Sequence, residues 1–234
     1  MEPGSEPWAT CFTPDGDLAV TLKRQGCVSL WSPSGEPISE FGHEHLSGPS
    51  GIQCDKDGNF MVADEETDEV FVFDNQGQLL KQLYESDSQG KKNTDRETLF
   101  YSSSKRPPSF SKPRYICLTP QGNYAISDSA NHYIKIFDSS FKLLTKFGGY
   151  GRKDGQFKFP YGVASDEEGK LYVADHFNSR VSLFSKDGEF IEHVLTADDQ
   201  MKKPKGLAVK NGLLYVTYGD LRANKVAVYK INRA

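Results

Sequence analysis

The chain has 234 residues, 37% of them hydrophobic and 12% aromatic, with 28 basic and 32 acidic side chains and a net charge of −4. That length fits one large β domain, and the net charge argues against indiscriminate nucleic-acid binding while leaving room for a basic sector on one face. No apolar run approaches the roughly 18 residues that a membrane span needs. The acidic start MEPGSEPW lacks the apolar core of a secretory signal, so a cytoplasmic setting is expected. Cys11, Cys27, Cys54 and Cys117 show no CxxC spacing, which fits small buried fillers in a reducing compartment better than zinc ligands.

Taken in chain order, one pattern returns five times. It starts at Pro7 (PWATCFTPDGDLAV), Pro49 (PSGIQCDKDGNFMVAD), Pro113 (PRYICLTPQGNYAISD), Pro160 (PYGVASDEEGKLYVAD) and Pro204 (PKGLAVKNGLLYVTY), at intervals of 42, 64, 47 and 44 residues. Each unit predicts a first strand after the proline, a Gly turn, a second strand, a polar loop and a third strand (CVSLW, VFVFD, YIKIFD, RVSLF, KVAVY). In the first four units a second turn then leads to a short fourth strand (PISEF, LLKQL, KLLTKF, FIEHV). Gly16, Gly58, Gly122, Gly169 and Gly212 fall at equivalent turn positions, where the tight hairpin calls for positive φ. A lone four-stranded sheet cannot cover both faces, but sheets stacked around an axis can. The expected fold is therefore an all-β propeller of four-stranded antiparallel blades occupying residues 1–234. Cys11, Cys117, Ala164 and Ala208 stand four residues after their prolines, as a crowded inner strand would favour. The long second interval holds a polar, Ser-rich insertion at 85–111, expected as a loop between blades.

The stretch GRKDGQFKFPYGVASDEEGKLYVADHFNSRVSLFSKDGEF resembles an NHL repeat, with its Gly-Gln-Phe-x-x-Pro lead, Gly-Val-Ala and Tyr-Val-Ala-Asp strands and Asn-x-Arg loop. The second and third units match well. The first departs, read with Thr21 in place of the Asp, and so does the fifth, where TYGDLRANK replaces the Asp loop. The resemblance covers most of the chain outside the insertion. It implies a ring of five or six blades and a setting like the C-terminal domain of tripartite-motif ubiquitin ligases of the NHL subclass, whose RING and B-box modules are absent here.

In a meander running outward from the axis, the loops after strands two and four share one face, and their charge and aromatics mark it as the working face. Trp8, Ser50, Arg114, Tyr161 and Lys205, each following a proline, are expected to point toward the axis there. Tyr150, Arg152, Lys153, Lys158, Phe177, Arg180 and Lys203 complete the candidate binding set, opposite an acidic loop at Asp64–Glu69. Asp175, with Asn178 and Arg180, reads as a structural brace for its loop rather than as catalytic machinery, and Asp64 and Asp128 read the same way. No catalytic carboxylate pair, nucleophile turn or phosphate loop can be picked out. His43 and His45 offer an HxH pair without an identifiable third ligand, so no metal and no other cofactor is expected. The sequence thus predicts a non-catalytic recognition domain. Its partner is a protein such as a ubiquitination substrate, or alternatively an RNA stem-loop or short single strand. A metal-dependent propeller hydrolase or lyase is the third reading.

Overall fold

The computed structural model describes residues 6–83, 109–220 and 225–231. Among them, nineteen strands form five antiparallel sheets. Blade one contains β1 (Pro7–Phe12), β2 (Leu18–Leu22), β3 (Cys27–Trp31) and β4 (Pro37–Phe41). Blade two contains β5 (Pro49–Cys54), β6 (Phe60–Asp64), β7 (Glu69–Phe73) and β8 (Leu79–Gln82). Blade three contains β9 (Pro113–Leu118), β10 (Tyr124–Asp128), β11 (Tyr133–Phe137) and β12 (Leu143–Gly148). Blade four contains β13 (Pro160–Ser165), β14 (Leu171–Asp175), β15 (Arg180–Phe184) and β16 (Phe190–Leu195). Blade five has β17 (Leu207–Lys210), β18 (Leu213–Tyr218) and β19 (Lys225–Lys230). Each sheet is a meander in sequence order, and the whole is the expected β-propeller.

The hairpins form for a local reason. Asp55 Oδ1 accepts the N–H groups of Asp57 and Asn59, and Asp166 Oδ1 those of Glu168 and Lys170. Thr13 and Thr119 hold Asp17 and Asn123 in the same manner. The chain then turns back through a residue at φ near +90°: Gly58 at +85° and Gly169 at +89°. In the outer turn of blade three Phe141 takes that conformation at +63°, and its ring stacks on Tyr124 at 5.7 Å.

Apolar residues on alternate positions of each strand meet those of the next blade, so the core lies between blades. Val28, Leu30 and Phe41 pack on Ile52, Phe60 and Phe73, and Ile134 and Phe157 pack on Val173 and Phe184. Inner strands approach closely at one rim. A Cβ on Gly51 would lie 2.6 Å from the Arg114 carbonyl oxygen, and one on Gly162 would lie 2.3 Å from that of Lys205. Hydrogen bonds sew this rim together: Thr21 Oγ1 donates to Ser50 O, Ser50 Oγ to Pro113 O, and Gly162 N to Lys205 O. Of the small residues expected near the axis, Cys11, Cys117 and Ala164 are buried, whereas Ala208 is exposed.

Three expectations need correction. The pairing of Leu22 with Cys27 matches that of Asp175 with Arg180, so Leu22, not Thr21, stands at the blade-one Asp position. Thr21 instead matches Ser127, and both side-chain oxygens accept an inner-strand N–H. Ser50 does not line the channel mouth, because it is fully buried and its hydroxyl serves the inter-blade bonds. Residues 85–108 of the insertion lie outside the described residues, and its end at 109–111 is an irregular segment that packs inward and does not stand free. Phe110 is buried against Phe137, and Ser109 O accepts from the Lys135 ammonium.

Candidate functional site

The loops after the second strands and the inter-blade loops emerge together on the rim where the inner strands meet. Buried carboxylates hold them there. Asp64 accepts the N–H groups of Ser47, Gly48, Glu66 and Thr67, which ties its own loop to the preceding inter-blade loop. Asp128 accepts from Ser111 N and Asn131 and pairs with Lys135 at 2.7 Å. Asp175 accepts from Lys158 N, Asn178 and Arg180 Nε. Burial pushes the Asp175 carboxyl up, against the pull of those three donors.

On this frame sits a continuous path of rings and cations. Tyr150 meets His132 at 5.0 Å, His132 meets Phe159 at 4.6 Å, and Phe159 meets Phe177 at 5.2 Å. Phe177 meets His176 at 4.8 Å, and His176 stacks flat on Tyr161 at 4.1 Å and 4°. The Arg114 guanidinium lies 4.3 Å from the Tyr161 ring and 5.9 Å from Trp8, and the Lys23 ammonium lies 4.8 Å from Trp8. Tyr150, Phe177 and Trp8 stand out of it at 63%, 53% and 40% exposure. Glu65 is buried beneath the Trp8 end, paired with Arg114 at 2.8 Å and with Lys23. Glu65 thereby engages both cations and offsets one of their two charges, and the rest of the path is mostly aromatic.

His132 Nδ1 accepts the N–H of Phe159, which requires an unprotonated nitrogen. Burial holds His132 below the usual histidine range, with Lys158 adding to it against Asp128 and Asp175. Burial also lowers His176, whose Nδ1 faces the Pro204 carbonyl, and Lys205, Lys203 and Arg114 lower it further.

The predicted binding residues divide into two groups. Trp8, Arg114, Tyr150, Tyr161 and Phe177 are brought together on the path, and Lys158 joins them with its ammonium 5.2 Å from the Tyr150 ring. Arg152 and Lys153 are exposed beside Tyr150 in sequence. Lys203 is half-buried and paired with Asp220 at 2.8 Å, and Lys205 is half-buried with its backbone bonded to Thr217 and Gly162. Arg180 is a correction as a contact residue. It is buried, and its donors go to Asp175, Arg152 O, Gln156 O and His193, so it braces the loop and does not reach a ligand. Glu65 likewise leaves the acidic loop as a free partner, whereas Glu66 stays exposed. Sequence reasoning missed Lys23, His132, Phe159 and His176 as links in the path. The signal was present, since each lies in a loop of the working face or just before a repeat proline.

The HxH pair is split. His45 turns toward Phe71 and Phe73, while His43 Nε2 faces Glu40 at 3.6 Å. All four cysteines are buried, and desolvation pushes Cys117 up to about 12 and Cys27 up to about 11, the latter aided by Glu40. A groove of about 740 Å³ opens elsewhere, lined by Tyr172, Ile191, Leu195 and Tyr229. Turn residues Asp166–Glu168 and Asn211 place it on the opposite rim, away from the aromatic path. No described helix is long and apolar enough to cross a membrane.

Repeated four-stranded blades, Asp-anchored loops and the motif of blade four define this chain as an NHL-repeat β-propeller. Among known proteins it is similar to the chicken E3 ubiquitin-protein ligase TRIM71, 32% identical over 211 residues, covering 81% of this chain and 22% of that protein. It is also similar to Caenorhabditis elegans protein lin-41, 47% identical over 49 residues, 21% of this chain and 4% of that one. Human NHL repeat-containing protein 3 is 31% identical over 90 residues, 36% of this chain and 26% of that one. The matches thus span about a quarter or less of these relatives' lengths. No family model matches the chain. In fold it superposes on a putative gluconolactonase with a TM-score of 0.71 at 15% identity, covering 99% of this chain and 76% of that one.

Proposed function

We propose that this propeller is a non-catalytic recognition domain that docks a protein partner on the aromatic path, in the manner of a substrate-recruiting domain of a tripartite-motif ubiquitin ligase acting in the cytoplasm. One observation carries the reading. The exposed anchors Trp8, Tyr150 and Phe177 are joined by packed rings, and the central cations Arg114 and Lys23 are both engaged by the buried Glu65. Protein hot spots favour rigid Trp and Tyr with a buried Arg beside them. A phosphate-binding face would instead leave its central cations free. The similarity to TRIM71 supports the ligase setting.

RNA is the second reading, favoured by Arg152, Lys153 and Lys158 at the Tyr150 end, where bases would stack and phosphates pair. The experiment combines two measurements on full-length protein. Cross-linking in cells should yield protein partners that are lost in the Trp8→Ala, Tyr150→Ala, Phe177→Ala variant and kept in an Ile191→Ala control on the opposite rim. Short single-stranded RNA is titrated at two salt concentrations. Tight, salt-sensitive RNA binding, lost in Arg114→Ala with Tyr161→Ala, would overturn protein docking.

A further inference from the structure

Blade one breaks the pattern of blades two to four at a defined place. The first residue of the third strand is Glu69, Tyr133 or Arg180 in blades two to four, opposite Asp64, Asp128 or Asp175. In blade four that residue holds Asp175 and also bonds across the sheet to His193 on the outer strand. Blade one has Leu22 in place of the Asp, Cys27 in place of Arg180, and Glu40, which pairs with Ser29, in place of His193. With no carboxylate at Leu22, the cross-strand pair has no loop to brace. A third group joins it instead. His43 follows β4 in a turn closed by Leu46 N and His45 N on Gly42 O, with Gly42 at φ +91° and a Cβ there blocked by Leu46 at 2.5 Å. The Cys27 sulfur, a Glu40 oxygen and a His43 ring nitrogen all lie within 4.8 Å of one another.

We propose that Cys27, Glu40 and His43 form a three-ligand site for a zinc-class divalent cation on blade one. Sulfur, imidazole nitrogen and carboxylate oxygen together are the donor set zinc takes, and three protein ligands leave a fourth tetrahedral position to water. Bonds of about 2.0–2.3 Å place tetrahedral ligands roughly 3.3–3.8 Å apart; His43 and Glu40 already stand 3.6 Å apart, and no pair needs to close by more than about 1.5 Å. Binding expels the Cys27 thiol proton to solvent, and the thiolate and the Glu40 carboxylate then balance the two charges of the ion. His43 and Glu40 are both about half exposed, which gives the ion a way in.

The test is cobalt titration of tag-free protein, with zinc competition. One equivalent of Co²⁺ should raise a thiolate-to-cobalt band in the near ultraviolet together with visible bands of tetrahedral intensity, and Zn²⁺ should bleach both. Cys27→Ser should abolish the near-ultraviolet band. The exposed-site variants Glu40→Gln and His43→Ala keep the fold and should weaken binding about tenfold or more. Cys54→Ser should leave the spectrum unchanged. No thiolate band at large cobalt excess, or a band that survives both Cys27→Ser and His43→Ala, would overturn the site.

Discussion

Single side chains decide how the working face is held. Arg180 and Asp175 are a buried pair whose remaining hydrogen-bonding capacity goes to neighbouring loops. Removing the cation strands a carboxylate without water, so Arg180→Ala should cost about 3–5 kcal/mol, read as a lower denaturant midpoint. Exposed Arg152→Ala should cost under about 0.5 kcal/mol. Titration acts at the same scale. His132, His176 and His193 are all held below the usual histidine range, chiefly by burial. The folded chain therefore prefers them neutral, while the unfolded chain takes up protons near pH 6.5. Their stabilisation is complete above that pH and is lost as pH falls below it, down through the lowered folded values. Urea midpoints should drop between pH 7.5 and 5.5, and His132→Gln should flatten that slope. An unchanged midpoint in wild type would remove the argument.

Each blade is a meander that relies on its turns. Gly169 sits at φ +89°, with a Cβ there meeting the flexible end of Gln121 at 2.6 Å. Space can be made, but the backbone conformation cannot be relieved for a β-branched side chain. Gly169→Val should destabilise by about 1–3 kcal/mol, and an unchanged melting temperature would count against it. These elements were legible because turn chemistry is local: an Asp or Thr, two spacer residues, a Gly and an alternating apolar run name the hairpin. The Asp anchors were legible for the same reason. Blade one was misread because the repeat there carries both Thr21 and Leu22 where a single Asp was sought, and only strand pairing tells the two apart.

At the scale of the molecule, stacking leaves its ends different from its middle. Among the described residues no buried cluster joins blade five to blade one, and blade five exposes Val226 at 69% and Val228 at 52%. Apolar sheet faces of this kind promote association. Sedimentation of the purified chain should show concentration-dependent association that Val226→Lys with Val228→Lys abolishes. A monomer at all concentrations in wild type would refute this. The working face makes an opposite prediction: the Trp8, Tyr150 and Phe177 alanine variant should bind less while keeping its unfolding free energy within about 1 kcal/mol of wild type, since those rings are solvent-exposed.

The sequence by itself determined the repeat, the strand order, the face on which long loops gather and the residues that brace them. All of these depend on spacing along the chain, whose period the backbone converts directly into geometry. Only the tertiary structure decided which cations are available. Arg114, Arg180 and Lys23 look alike as basic residues of the working face, yet Arg114 and Lys23 are both paired with a Glu65 from another blade and Arg180 is consumed by Asp175 of its own. The same holds for the ring path, whereas the Cys27, Glu40, His43 cluster is brought together by strand pairing inside blade one. The cation pairs and the ring path join segments whose separation in sequence says nothing about distance, because the packing of blades, not the chain, brings them together.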